Sequence, residues 1–321
     1  MADKTMKAIA VTELCKRAEL RDMPMPTVGE KQVLVRTHYS GVSVGTEMWI
    51  AHGRRNDYGP VPFVNGYQVT GEIAQLGQGV EGFAEGDLVA CFVRGAHGQY
   101  ALGSADLCHK LSNATSAKAA ALFVQPAVGA NAINTAGINC GDTVVITGQG
   151  LIGQATAQLC RLRGAYVIAA DVAPQRLVMS ARYCADRVID ATKGPVHEQI
   201  KAEYPWGVDV VIESTGFEKL IEDALQCCGN KGKMVFEGWF PGSVTYNFHL
   251  GHARMITAYY PAFIGPRANQ AGVIRLIESG KLDIEPLVSD LVPWRDGEAV
   301  YNRLFGKDRD SFNGIVFDWT A

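Results

Sequence analysis

Residues 141–153, Gly-Asp-Thr-Val-Val-Ile-Thr-Gly-Gln-Gly-Leu-Ile-Gly, decide the fold. The β-branched run TVVIT ends in a G-x-G-x-x-G, and LIGQATAQLC continues from it at helical spacing. Strand, tight turn and helix in that order form the dinucleotide fingerprint, which a lone glycine pattern would not. Gly148 makes the turn, and Gly150 lets the backbone of Leu151 and Ile152 approach a pyrophosphate. Gly153 permits close helix packing, and the helix N-terminus supplies the anion site.

Working toward the C-terminus, the next strand YVIAAD ends at Asp171. A carboxylate there can accept hydrogen bonds from the adenosine ribose hydroxyls and repels a 2′-phosphate, so NAD is favoured over NADP. Arg176 can cover the adenine or lie in solvent. Short apolar runs then alternate with amphipathic ones: APQRLVMSARYCA, RVID, VDVVIES, EKLIEDALQCC, KGKMVFEG and MITAYYP. That alternation marks a parallel sheet covered on both faces. The last run, residues 255–261, reads as an edge strand whose exposed apolar backbone suits pairing with a second copy, so a homodimer is expected.

Toward the N-terminus the texture is short alternating runs broken by glycine from Met6 to about Ala120, which suggests a barrel-like β domain. Residues 116–137 read as one linking helix, residues 269–282 as another, and the tail SFNGIVFDW as a strand rejoining the first domain. The fold class is therefore α/β: a β-rich domain at 1–122, a doubly wound dinucleotide-binding domain at 123–264, and a returning segment at 265–321.

Of the 321 residues, 47% are hydrophobic and 20% charged, ordinary for a soluble enzyme. The net charge of -3 gives no reason to expect nucleic acid or an anionic membrane as partner, so a small-molecule substrate is expected. With no long apolar run and no apolar core near MADKTMKA, the expected location is cytoplasmic. The eight cysteines form no C-x-x-C or zinc-ligand spacing and are expected as reduced thiols, Cys91 and Cys108 standing alone.

The ordered pieces SGVSVGTE, NGYQVTGEI, GDLV, GQYA, GDTVVITGQGLIG and VVIESTG resemble the medium-chain dehydrogenase/reductase family. The resemblance runs over nearly the whole chain and implies a GroES-like catalytic domain joined to a Rossmann domain. It implies that Ser214, Thr215 and Gly216 pass under the nicotinamide, and that Gly238 and Trp239 meet its carboxamide through backbone. Where the zinc-dependent branch holds a metal, this chain reads Val44 (or Ser43), Tyr67 and Gln125 or its neighbours, with Gln68 beside Tyr67 in place of a glutamate. None of these is a normal zinc ligand, so no metal site and no zinc are expected.

Without a Lewis acid, hydride chemistry needs donors aimed at the substrate oxygen. The resemblance makes Thr46 and Tyr67 the first candidates; each could instead serve local backbone or packing. Glu47 suits a structural ion pair, and His52 and His97 are the reserve proton donors. The implied function is a zinc-independent, NAD(H)-linked oxidoreductase of a secondary alcohol on a sugar, polyol, cyclitol or other ring. The G-T-E turn resembles a group likened to bacteriochlorophyllide hydroxyethyl dehydrogenases. The alternatives are an enoyl or quinone reductase, which Asp171 disfavours, and a non-catalytic dinucleotide-binding sensor or structural protein. The polar stretch 51–59 could face substrate or solvent.

Overall fold

The computed structural model of the chain describes residues 5–55, 58–261, 263–306, 309 and 311–321, so Asn56 and Asp57 of the polar stretch lie outside the described residues. The chain divides into two compact units. One comprises residues 1–124 with 274–280 and 284–321; the other comprises 125–273 with 281–283. The class is α/β, with a β-rich first unit and a parallel-sheet second unit.

In the first unit, β1 (Thr5–Glu13) pairs antiparallel with β2 (Arg17–Pro24) and with the short β4 (Phe63–Val64). The larger sheet contains β3 (Gln32–Val42), β5 (Gln68–Leu76), β6 (Leu88–Arg94) and β7 (Tyr100–Lys110). Pairings β3–β5, β5–β6, β6–β7 and β7–β3 close these four into a small barrel, which removes free edges. Val33, Val35, Val69, Ile73 and Val89 fill one core cluster.

The tail strand β15 (Gly314–Asp318) lies antiparallel against β3, with β14 (Val288–Pro293) beyond it. Phe317 joins Ile9, Val42, Met48 and Tyr301 in a second cluster. Gly41 at this seam has no spare room, since a β-carbon on it would stand 2.3 Å from the Ala121 carbonyl oxygen.

The second unit holds one six-stranded parallel sheet. Its strands are β8 (Thr143–Thr147), β9 (Tyr166–Asp171), β10 (Arg187–Asp190), β11 (Val208–Glu213), β12 (Cys228–Phe236) and β13 (Thr257–Tyr259). Their spatial order is β10-β9-β8-β11-β12-β13, so the winding reverses between β8 and β11. Ligands of open α/β sheets bind at such a reversal, outside the carboxyl ends of the strands.

Three expectations need correction. Residues 116–137 are not one helix but α2 (Ala117–Ala120), a turn, and α3 (Val124–Ala136), which follow α1 (Val44–Ala51) in the chain. Pro126 has no N–H to give to the Leu122 carbonyl, and it is tolerated only because the helix restarts with it in the first turn. The edge strand is shorter than 255–261: Met255 takes a positive φ of 53°, and only Thr257–Tyr259 pair with β12. Cys91 and Cys108 do not stand alone, because β6 and β7 set them opposite one another at a Cα–Cα distance of 4.3 Å, where they form a disulfide. No helix among the described residues is long and apolar enough to cross a membrane.

Candidate active site

In the first unit the site grows from α1, an eight-residue helix that opens at Val44 directly after β3. Thr46, read from the sequence as part of a turn, lies in its first turn. Tyr67 precedes β5, and its phenol oxygen meets the hydroxyls of both Ser43 and Thr46. Burial pushes the phenol up to about 12, and the Glu47 charge adds to the rise. The two hydroxyls and the positive Arg55 pull the other way. At neutral pH Tyr67 is therefore a protonated phenol with two hydroxyl neighbours. The structure brings the two sequence candidates together and adds Ser43, which the sequence presented only as an alternative metal position.

Beneath these hydroxyls lies Glu47, fully buried. Its Oε1 accepts from the Ser43 amide at 2.7 Å. Its Oε2 lies 2.8 Å from His97 Nε2 and accepts from the Tyr301 hydroxyl at 3.0 Å. The other ring nitrogen of His97 is 2.9 Å from Ser40 Oγ, which also accepts from Trp319 Nε1 at 2.9 Å. Asn65 Nδ2 donates to the Glu47 carbonyl and to the Tyr301 hydroxyl. The expected ion pair of Glu47 thus has His97 as partner, and His97 is wholly committed inside the network. His52 is committed too, with Nδ1 2.6 Å from the Met48 carbonyl of its own helix.

The residues at the family's metal positions do not suit zinc. Val44 is a hydrocarbon, Tyr67 a protonated phenol, and Gln68 spends its amide on the Val124 N–H and the Gly41 carbonyl. Gln125 is a neutral amide, with both polar side-chain atoms buried and unpartnered. Among the described residues no group of three or more His, Cys, Asp or Glu is placed to hold a metal.

In the second unit three loops meet at the carboxyl ends of β8, β11 and β12. Gly148, at φ 89°, leaves no space for a β-carbon, which would stand 2.7 Å from Thr215 Cγ2. A β-carbon on Gly153 would sit 2.0 Å from the Gly148 carbonyl oxygen, one on Gly216 2.5 Å from that of Trp239, and one on Gly238 2.3 Å from the Gly216 amide. These glycines let 148–150, 214–216 and 237–239 pack backbone on backbone. Above Gly150, by contrast, a β-carbon would meet nothing within 4 Å. That open space faces the N-terminus of α4 (Leu151–Leu162), which has no side-chain cap, as an anion cradle requires.

Asp171, at the end of β9, accepts from the Gln149 amide at 2.6 Å and the Ala173 amide at 2.8 Å. Each carboxylate oxygen keeps a second lone pair for a ribose hydroxyl. Arg176 is half-buried in the first turn of α5 (Pro174–Tyr183), and Trp239 exposes 47% of its surface. These residues fit a dinucleotide. Glu213 opens the stretch Glu213–Gly216 that the resemblance places under the nicotinamide, whereas the buried carboxylate of Glu237, just after β12, was not singled out from sequence.

The family described as "Alcohol dehydrogenase GroES-like domain" matches residues 29–166, and the one described as "Zinc-binding dehydrogenase" matches 152–279. A NAD-dependent alcohol dehydrogenase of Sulfurisphaera tokodaii is 27% identical, the match covering 93% of this chain and 96% of the relative. The L-galactonate-5-dehydrogenase of Escherichia coli is 24% identical, over 92% of this chain and 94% of its own. Among solved structures, benzyl alcohol dehydrogenase from Acinetobacter calcoaceticus superposes with a TM-score of 0.88 at 17% identity, over 98% of this chain and 99% of that one. That likeness is one of fold.

Removing one partner of a buried, hydrogen-bonded ion pair strands the other. His97→Ala should lower stability by about 3–5 kcal/mol in chemical denaturation; an unchanged midpoint would show that Glu47 does not depend on His97.

Proposed function

We propose that the chain, whose two halves match the GroES-like and zinc-binding dehydrogenase family models, is a NAD(H)-linked oxidoreductase of the alcohol dehydrogenase-like medium-chain type, interconverting a secondary alcohol and a ketone without zinc. We further propose that its substrate is a sugar, polyol, cyclitol or other hydroxylated ring, a class to which the L-galactonate-dehydrogenating relative lends support. One observation supports the mechanism: Tyr67, at the position the family pattern gives to a metal ligand, is a protonated phenol flanked by two hydroxyls.

When bound, the nicotinamide supplies or accepts the hydride. Tyr67 then acts at its phenol oxygen, donating a hydrogen bond to the carbonyl oxygen of the substrate and strengthening it as charge develops there. In the reducing direction the phenol gives its proton to that oxygen and takes one back from solvent through the Ser43 and Thr46 hydroxyls; in the oxidising direction the same relay runs in reverse. Glu47 holds the Ser43 amide and so sets where these hydroxyls stand. In the second unit, the α4 N-terminus faces the pyrophosphate and Asp171 the adenosine ribose, where a 2′-phosphate would meet a negative charge.

We also propose a homodimer joined through β13, an edge strand that pairs only with β12 among the described residues.

Oxidation of a panel of secondary alcohols with NAD, together with metal analysis of the purified protein, tests the reading directly. Activity with far less than one zinc per chain is expected, and loss of activity on chelation overturns the zinc-free mechanism. Tyr67→Phe keeps the ring and deletes the donor, so kcat should fall about a hundredfold with cofactor affinity unmoved. Wild-type turnover in that variant would remove Tyr67 from the chemistry. Asp171→Ala should weaken NADH binding by about 1.5–3 kcal/mol and relax discrimination against NADPH; tighter NADPH than NADH binding in the unaltered protein contradicts the assignment. Light scattering should give twice the chain mass at micromolar concentration, and a monomer mass rules out the edge-strand dimer.

A further inference from the structure

Two carboxylates are buried at the carboxyl ends of the neighbouring strands β11 and β12, in the loops that the proposed dinucleotide would touch. Glu213 shapes the loop that follows it. Its Oε1 accepts from the Thr215 amide at 2.9 Å and from the Thr215 hydroxyl, and its Oε2 accepts from the Gly216 amide at 3.0 Å. Its carbonyl oxygen accepts from the amides of Glu237 and Gly238 at 2.9 and 2.8 Å. The neighbouring strand end is thus tied to the same residue.

Glu237 has a different environment. Its Oε1 accepts from the Thr156 hydroxyl of α4 at 2.7 Å and the Ser214 hydroxyl acts on the same carboxyl, whereas its buried Oε2 makes no hydrogen bond of good geometry. Glu237 is tied to Glu213 through backbone, its amide donating to the Glu213 carbonyl at 2.9 Å, and the Glu213 charge acts on its carboxyl. An ionised Glu237 would leave Oε2 poorly met in a buried site that also feels the charge of Glu213. A proton on Oε2 removes that conflict.

We propose that Glu237 is a positioning residue for the dinucleotide. As a neutral acid it leaves the Glu213 carboxylate to hold the 214–216 loop in its binding shape. As an anion it opposes Glu213 across adjacent strand ends and loosens that loop. The inference rests on the cofactor reading given above.

The titratable groups that face Glu237 are Glu213, from the end of β11, and Cys160, from α4. Burial raises all three, and no cation is among the groups acting on Glu237. Burial carries Glu237 from 4.5 to about 7, opposed by the Thr156 and Ser214 hydroxyls and assisted by the Glu213 charge. Raised in the folded state, the group contributes stability that is complete below about 4.5 and lost as pH climbs through about 7. Dinucleotide affinity should follow the same proton, high below neutrality and falling above it.

The test is NADH affinity by fluorescence titration from pH 6 to 8.5, for the unaltered protein and for Glu237→Gln, whose amide oxygen can still accept from Thr156. The unaltered protein should bind about tenfold more weakly at the alkaline end, the factor that one unit of pKa coupling supplies. Glu237→Gln should bind with the acid-side affinity throughout. Thermal midpoints without cofactor give a second readout: the variant should gain on the unaltered protein as pH rises toward 7. Affinity that is flat with pH in the unaltered protein overturns the inference, as does an equal slope in the variant. Absence of NADH binding at every pH instead removes the cofactor reading, and the inference with it.

Discussion

A carboxylate without water must be met by donors, and Glu47 is such a group at 0% exposure. Its two oxygens collect the Ser43 amide, His97 and Tyr301, and through these Asn65, Ser40 and Trp319. The partners come from β3, the residue before α1, the segments before β5 and β7, the helix at residues 297–303, and the residue after β15. One buried charge therefore sets the register of the first unit around α1. The hydroxyls of Ser43, Thr46 and Tyr67 stand on that frame. The proposed proton transfer would need placement to a fraction of an ångström, which a buried hydrogen-bonded network supplies.

The second unit uses the complementary device. Its loops are held by the absence of side chains, with Gly148, Gly153, Gly216 and Gly238 packed so tightly that any β-carbon would meet backbone or a neighbouring side chain. What remains open is the space above Gly150 and the uncapped start of α4. Placing two acids under such loops is costly, and proteins retain costly buried charges where they serve specificity or function.

The parts of this design legible in the sequence are those in which neighbours along the chain do the physics together. The strand, glycine turn and helix at 143–162 form a local unit, and Asp171 ends the very next strand, so their geometry follows from spacing. Tyr67 and Thr46 could be named because a family pattern marks their positions. The pairing of Glu47 with Tyr301 could not, since the two lie 254 residues apart and no local periodicity links them. The Cys91–Cys108 disulfide escaped for a similar reason: a spacing of 17 means nothing until the β6–β7 register sets the two opposite. The break between α2 and α3 was written in Pro126, but the surrounding small apolar residues mask it by continuing the helical pattern.

The pairing of β15 with β3 has a consequence for how the chain is made. Trp319 and Ser40 are bonded across 279 residues, so the first unit cannot be finished until the last strand has left the ribosome. In sequence the second unit falls almost wholly between the two parts of the first, and it can close on its own sheet while the Tyr39–Val42 stretch of β3 waits for β15. The unit whose synthesis begins first is therefore the one completed last. The apolar flank of β3, with Val42 and its neighbours, is the surface a nascent chain must keep from other partners during that interval.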